Sequence, residues 1–157
     1  MPDQRLASRS AGPRRVGRRL GEYGLAAALA VAAAVLLLQL WKADLRVPFD
    51  HHWDALLCGL VVKSIVDDGW YLHNPLLGAP GSLQMHDYPF SDSFHLLVIK
   101  VMSWFSSDWA LLFNVYYLLG FPLITLSALA VFRHFRVPYR PALVGSLLFA
   151  FLPSRVL

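Results

Sequence analysis

The side chains best suited to chemistry lie between Lys42 and Asp108. This stretch holds eight aspartates (Asp44, Asp50, Asp54, Asp67, Asp68, Asp87, Asp92 and Asp108) against four cations, Lys42, Arg46, Lys63 and Lys100. His51, His52 and His86 stand among them. Carboxylates and imidazoles can hold a divalent cation, and hard oxygen donors suit Mg²⁺ or Mn²⁺. A carboxylate can also serve as a general base. Asp50 is the candidate catalytic carboxylate and candidate metal ligand, with His51, Asp54, His86 and Asp87 as candidate substrate contacts and Asp92 nearby. A plainer reading has Asp50 capping a helix and the other groups facing water. Spacing alone does not choose between the two. The chain has no HExxH, CxxC, P-loop or GxGxxG motif. Adjacent residues such as His51 and His52 point in different directions on a helix, and Asp67-Asp68 fits a solvated helix end.

The local pattern says what could position these groups. Pro48-Phe49-Asp50 opens a helix in which Trp53, Leu56, Leu57, Leu60, Val61 and Ile65 recur at helical spacing. His51, His52, Asp54, Lys63, Ser64, Asp67 and Asp68 mostly fall on the other side, Asp50 takes the N-cap position, and Gly69 supplies a stop. This helix is expected to lie along a membrane surface with its leucine face inward. A turn-rich stretch follows, through Asn74-Pro75, Gly78 and Pro80-Gly81. It leads to His86-Asp87-Tyr88-Pro89-Phe90-Ser91-Asp92. Loops of this length between apolar spans usually carry function.

The flanks are apolar in blocks. Apolar residues make up 57% of the 157-residue chain and charged ones 15%, where soluble domains average roughly 45–50% and 25%; both departures point to lipid. Tyr23 to Trp41 contains no charge, and as a helix it is roughly 28 Å long, about one hydrocarbon thickness. Six arginines (Arg5, Arg9, Arg14, Arg15, Arg18 and Arg19) precede it and place the N-terminus in the cytoplasm. No small-x-small cleavage site follows Trp41, so the segment reads as a retained span and not as a signal peptide. Trp109 to Phe132 is a second uncharged stretch, interrupted by Asn114 and Pro122, and Arg133, His134, Arg136 and Arg140 follow it. A third span is expected over 141–157, with the chain continuing beyond it in a longer protein. Phe94 to Phe105 is apolar but short, with Lys100 in its middle. A lysine at mid-membrane costs about 2.5–3.5 kcal/mol, so this segment is expected as an interfacial helix on the outer face. The layout is a basic cytoplasmic tail, 1–22, and a membrane domain, 23–157, whose spans lie near 23–41, 109–132 and 141–157 around an outer loop, 42–108. The fold class is all-α: a multi-pass helical membrane protein of about three spans with amphipathic interfacial helices, in the cell (inner) membrane. The basic residues form a tail abutting a span and are not interleaved with aromatics on a folded surface, so the lipid bilayer is the expected partner and nucleic acid is not. The single cysteine, Cys58, excludes an internal disulfide.

The order of these pieces resembles the N-terminal part of GT-C type membrane glycosyltransferases, including the catalytic subunits of oligosaccharyltransferases, and related large bacterial multi-pass proteins. The likeness runs from about Arg46 to the C-terminus. It is carried by Phe49-Asp50-His51-His52-Trp53, by Val66-Asp67-Asp68-Gly69-Trp70-Tyr71, by Gly78-Ala79-Pro80, by Tyr88-Pro89 and Asp92-Ser93-Phe94-His95, and by the closing Phe151-Leu152-Pro153. The resemblance implies a polyprenyl-phosphate-linked sugar as donor, transfer on the outer face, and Asp50 as the first-loop carboxylate that binds a divalent metal or acts as base. It also implies a second acidic motif in the next outer loop, so that this stretch by itself is expected to be inactive. Two other functions fit the composition. One is a non-catalytic multi-pass protein whose outer loop binds a partner. The other is part of a transporter, which would want charges inside its spans; none lies in Tyr23 to Trp41 or Trp109 to Phe132.

Overall fold

A computed structural model describes residues 13–50, 53–75, 77–86 and 93–152. The elements are α1 (Pro13–Leu37), α2 (Trp53–Asp68), β1 (His73–Asn74), β2 (Leu83–Gln84), α3 (Ser93–Met102), α4 (Trp109–His134) and α5 (Tyr139–Ala150). The chain is predominantly helical, as its composition implies, with one two-residue strand pair added. It divides into two compact units. A helical unit contains α1, the second half of α4 and α5; a loop unit spans Gln39–Gly120.

In the helical unit, α1 begins at Pro13, inside the stretch expected to be a tail. Proline suits a first helical turn, where its missing N–H would have no partner anyway. Ala26, Ala30 and Ala34 are buried on α1, and Ala142, Ser146 and Ala150 on α5, both sets spaced four apart. The two helices contact each other, and small side chains let backbones approach closely, the packing mode that works where water gives no hydrophobic drive. Leu129 of α4 closes this core with Ala26 and Ala142. Gly145 sits under the Phe132 ring, 3.2 Å from where a Cβ would stand.

The α4–α5 turn has a Schellman form. Val137 N–H donates to the Phe132 carbonyl (3.0 Å) and Arg136 N–H to that of Arg133 (3.1 Å). Arg136 is left-handed, φ 62°, at the position glycine usually holds; this costs a residue with a Cβ roughly 1–2 kcal/mol. Glu22 of α1 fastens the turn. Its carboxylate pairs with Arg18 (3.2 Å) and Arg133 (3.8 Å), and its carbonyl accepts from the Tyr139 hydroxyl (2.8 Å). Burial first, and then the Glu22 charge, raise the Tyr139 hydroxyl above its ordinary pKa, which keeps it a donor.

Among the described residues two helices are long and apolar enough to cross a membrane, Gly17–Leu37 and Trp109–His134. Only 17% of each apolar window is buried, where a core helix of a soluble protein would bury most of its length. Leu25, Val31, Leu36 and Leu37 on α1 and Leu119, Leu123 and Val131 on α4 are exposed. The count of about three spans is met only as far as two. α5 has 12 residues, too short to span at ~1.5 Å per residue, and 153–157 lie outside the described residues. Pro122 does not break α4, which runs through it.

In the loop unit, α2 stops at Gly69, left-handed at φ 92°, as the sequence implies. Its rotation differs from the expected stripe. Val61 and Ile65 are buried, but so are Val62 and Ser64, while Leu56 is 63% exposed. α2 is apolar on most sides, so its periodicity is too weak to set which face turns inward; contact with α3 sets it instead. The core joins Val61, Val62 and Ile65 to Leu96 and Ile99 of α3, with Tyr71 and Met85 from the intervening loop. That loop is held by β1–β2 pairing, His73 opposite Gln84 and Asn74 opposite Leu83. Asn74 Nδ2 also donates to the buried Ser64 Oγ at 2.8 Å. Gly78, φ 82°, makes the bend; a Cβ there would lie 2.9 Å from the Leu83 nitrogen.

Gly78→Ala meets both a left-handed backbone and a backbone clash that no side-chain rotation relieves. It should destabilise the protein by about 1–3 kcal/mol, read as a lower unfolding midpoint in detergent, whereas Gly81→Ala, with no contact closer than 3.7 Å, should change it little.

Candidate carboxylate site

Asp50 ends a non-helical strap, residues 38–50, that leads from α1 towards α2. Backbone outside helices and sheets must find hydrogen-bond partners elsewhere. Part of the strap turns on itself, with Lys42 N–H donating to the Gln39 carbonyl and Val47 N–H to that of Asp44, and three of its remaining groups are met by one side chain. Asn114, 1% exposed in the first half of α4, donates from Nδ2 to the carbonyls of Leu45 (2.9 Å) and Val47 (2.7 Å). Its Oδ1 accepts the Phe49 N–H at 3.1 Å. Both amide hydrogens and the carbonyl oxygen are thereby used. Phe49 packs edge-on against Tyr117, one turn along α4, with ring centroids 6.2 Å apart.

The strap is pinned at a second point. Arg46 Nε lies 3.8 Å from Asp108 Oδ2. Asp108 itself caps α4, its Oδ1 accepting the Leu111 N–H at 3.0 Å, the usual role of an aspartate at an N-cap. The consequence is local order immediately before Asp50. Asp50 is exposed to solvent, yet it follows a backbone fixed by three hydrogen bonds.

The other expected site residues fare differently. Asp50 lies before α2, three residues ahead of the first helical residue, so it is not the immediate N-cap. Asp54 is exposed in the first turn of α2, and His86 is exposed just after β2. His51, Asp87 and Asp92 lie outside the described residues. Among the described residues no group of three or more His, Cys, Asp or Glu side chains comes close enough to hold a metal ion. Asp50, Asp54 and His86 therefore do not form a three-donor Mg²⁺ or Mn²⁺ site among themselves.

Two features escaped the sequence reading. In the sequence Asn114 is only an interruption of an apolar run, although a lone amide in an uncharged span must be satisfied by something. The second is a cavity of about 290 Å³ lined by Cys58, Val62, His95, Leu96, Ile99, Phe113 and Tyr116. At its edge a His95 ring nitrogen is hydrogen-bonded to the Tyr116 hydroxyl.

Lys100, the charge that argued against α3 as a span, turns towards the protein. Its Nζ lies 3.7 Å from where a Gly69 Cβ would stand, beside the C-terminal, negative end of α2. No family model matches this chain, and no curated protein or solved structure is detectably similar to it.

Asn114→Leu keeps the volume but strands two carbonyls and one N–H of the strap. We expect a loss on the order of 2 kcal/mol, and faster hydrogen exchange at Phe49 with exchange in α5 unchanged. Protection at Phe49 equal to wild type would show that the clamp is not what orders the strap.

Proposed function

We propose that this chain carries the outer-loop carboxylate of a GT-C type integral membrane glycosyltransferase, with Asp50 as its acting group and a lipid-linked sugar as donor. The observation that carries the reading is the Asn114 clamp. A buried amide in an apolar helix orders the backbone that presents a solvent-exposed carboxylate, which is the preorganisation a reacting group needs.

The setting supports a membrane-surface site. α3 buries Leu96 and Ile99 in the core of the loop unit while Phe94, Leu97 and Val101 stay exposed, as do Trp104 and Phe105 just beyond its end, Phe105 at 86%. A short helix apolar on both faces, ending in exposed aromatics, fits the headgroup boundary of a bilayer. The two long helices supply the spans. Within the helical unit, the Glu22–Arg133 pair puts the arginine ends of α1 and α4 together, as a shared cytoplasmic side requires. Residues 42–108 then belong to the outer side of a cell membrane.

In such a site Asp50 takes the proton from an acceptor hydroxyl as its oxygen attacks the anomeric carbon of the donor. The bond from that carbon to the carrier phosphate oxygen breaks, and the polyprenyl phosphate leaves with the bonding pair. Headgroup depth is where a lipid-linked phosphate sits, so donor and base meet without either leaving its layer.

Two measurements test this. With Cys58 replaced by serine, Lys42→Cys should react with a membrane-impermeant maleimide from outside intact cells, and His134→Cys only in inverted vesicles; the reverse pattern overturns the topology. In protein made from the complete open reading frame, Asp50→Asn should slow sugar transfer from a polyprenyl phosphate donor by about 10²–10⁴-fold, with insertion unchanged. Retained transfer removes Asp50 from the reaction, and a stable protein partner without donor binding would favour a non-catalytic assembly role.

A further inference from the structure

The helical unit has a second charged surface that the carboxylate site does not use. At the end where α1 meets the α4–α5 turn stand Arg18, Arg19, Arg133, Arg136 and Arg140, with Glu22 as their acidic neighbour. Glu22 is spent on two of them. It pairs with Arg18 and Arg133, and its own side chain is 15% exposed. Arg133 is further engaged through Nη1 with the Val137 carbonyl at 3.2 Å. Arg19, Arg136 and Arg140 are exposed and form no ion pair with any described residue.

Arg136 is the telling member. It occupies the left-handed position of a Schellman turn, φ 62°, where glycine would fit without strain. The turn itself does not need a cation there, since Val137 and Arg136 close it through backbone bonds. A side chain kept where the backbone disfavours it points to a role outside the fold. The neighbours indicate which role. Phe135, beside it, is 73% exposed, and Leu20, beside Arg19, is 69% exposed. Cations interleaved with exposed apolar side chains, at the end of helices apolar enough to span, match a surface that is polar outward and oily inward. A soluble anion would account for the arginines but not for Phe135 and Leu20.

We propose that this end of the helical unit is a binding site for anionic phospholipid headgroups, with Arg19, Arg136 and Arg140 holding the phosphates and Leu20 and Phe135 seated among the upper acyl carbons. Glu22 serves the site by fixing the two helix ends together through Arg18 and Arg133, and the outward cations are left to the lipid. Each such arginine near an anionic surface strengthens binding about fivefold, and added salt weakens it. This inference is independent of Asp50 and of any catalytic role.

The test uses the full chain in a neutral detergent, titrated with phosphatidylglycerol, phosphatidylcholine or inorganic phosphate, with bound lipid counted by native mass spectrometry. Phosphatidylglycerol should bind well above phosphatidylcholine. Arg136→Gly should weaken phosphatidylglycerol binding about fivefold while leaving the unfolding midpoint in phosphatidylcholine unchanged or higher, because glycine relieves the left-handed backbone. Arg136→Lys should retain most of the binding. The triple variant Arg19→Gln, Arg136→Gly and Arg140→Gln should lose on the order of 100-fold. Wild-type phosphatidylglycerol affinity in that triple variant overturns the proposal. So does displacement of phosphatidylglycerol by millimolar inorganic phosphate, which would make this a soluble-anion site, or by a single-stranded oligonucleotide, which would make it a nucleic-acid surface.

Discussion

A polar backbone segment running alongside an apolar helix must have its hydrogen bonds supplied, and in the loop unit one amide side chain supplies three of them. Asn114 is nearly fully buried, and leaving its amide unpaired there would cost several kcal/mol. The strap between Leu45 and Phe49 likewise has carbonyls and an N–H to satisfy. Each needs the other, so α4 fixes the backbone that leads directly into Asp50. The Asp108 cap and the Arg46 pair support the same arrangement from the N-terminal end of α4. Surface ion pairs are worth little by themselves, so the amide is the stronger part of the attachment.

The two units rely on different packing. The helical unit packs alanines and a serine at four-residue spacing, which suits helices that approach closely and turn their large residues outward. The loop unit packs larger groups, Val61, Val62, Ile65, Leu96, Ile99, Tyr71 and Met85, like a small soluble core. Yet α3 turns a second apolar face outward. That combination, an aqueous-type core with one oily exterior side, is what a body resting on a bilayer would present. It also explains Lys100: a cation that sequence places mid-helix is turned to the end of α2, so neither face of α3 has to bury an unpaired charge.

Charge is likewise divided. The described carboxylates of the loop unit are either exposed or tied to a neighbour, as Lys63 ties Asp67 at 2.7 Å, whereas the arginines of the helical unit gather at one end around Glu22. The proposed catalytic and lipid-binding roles thus draw on different residues and do not compete for them.

Much of this was legible in the residues themselves. Long uncharged runs favour helix, so α1 and α4 follow from composition, and Gly69 marks the end of α2 because a left-handed residue there suits glycine. The arginine clusters and the Pro/Gly-rich loop are equally plain in one dimension. What only the tertiary structure decided are the pairings between distant residues. The rotation of α2, with Ser64 and Val62 inward and Leu56 outward, depends on α3 because α2 lacks a strong polar face of its own. The meeting of Glu22 with Arg133 and Tyr139 joins positions more than a hundred residues apart. Asn114 reads in sequence as a blemish in a membrane helix; its three partners lie 65 to 69 residues earlier. A hydrogen bond has direction and length, and no local pattern carries either across that distance.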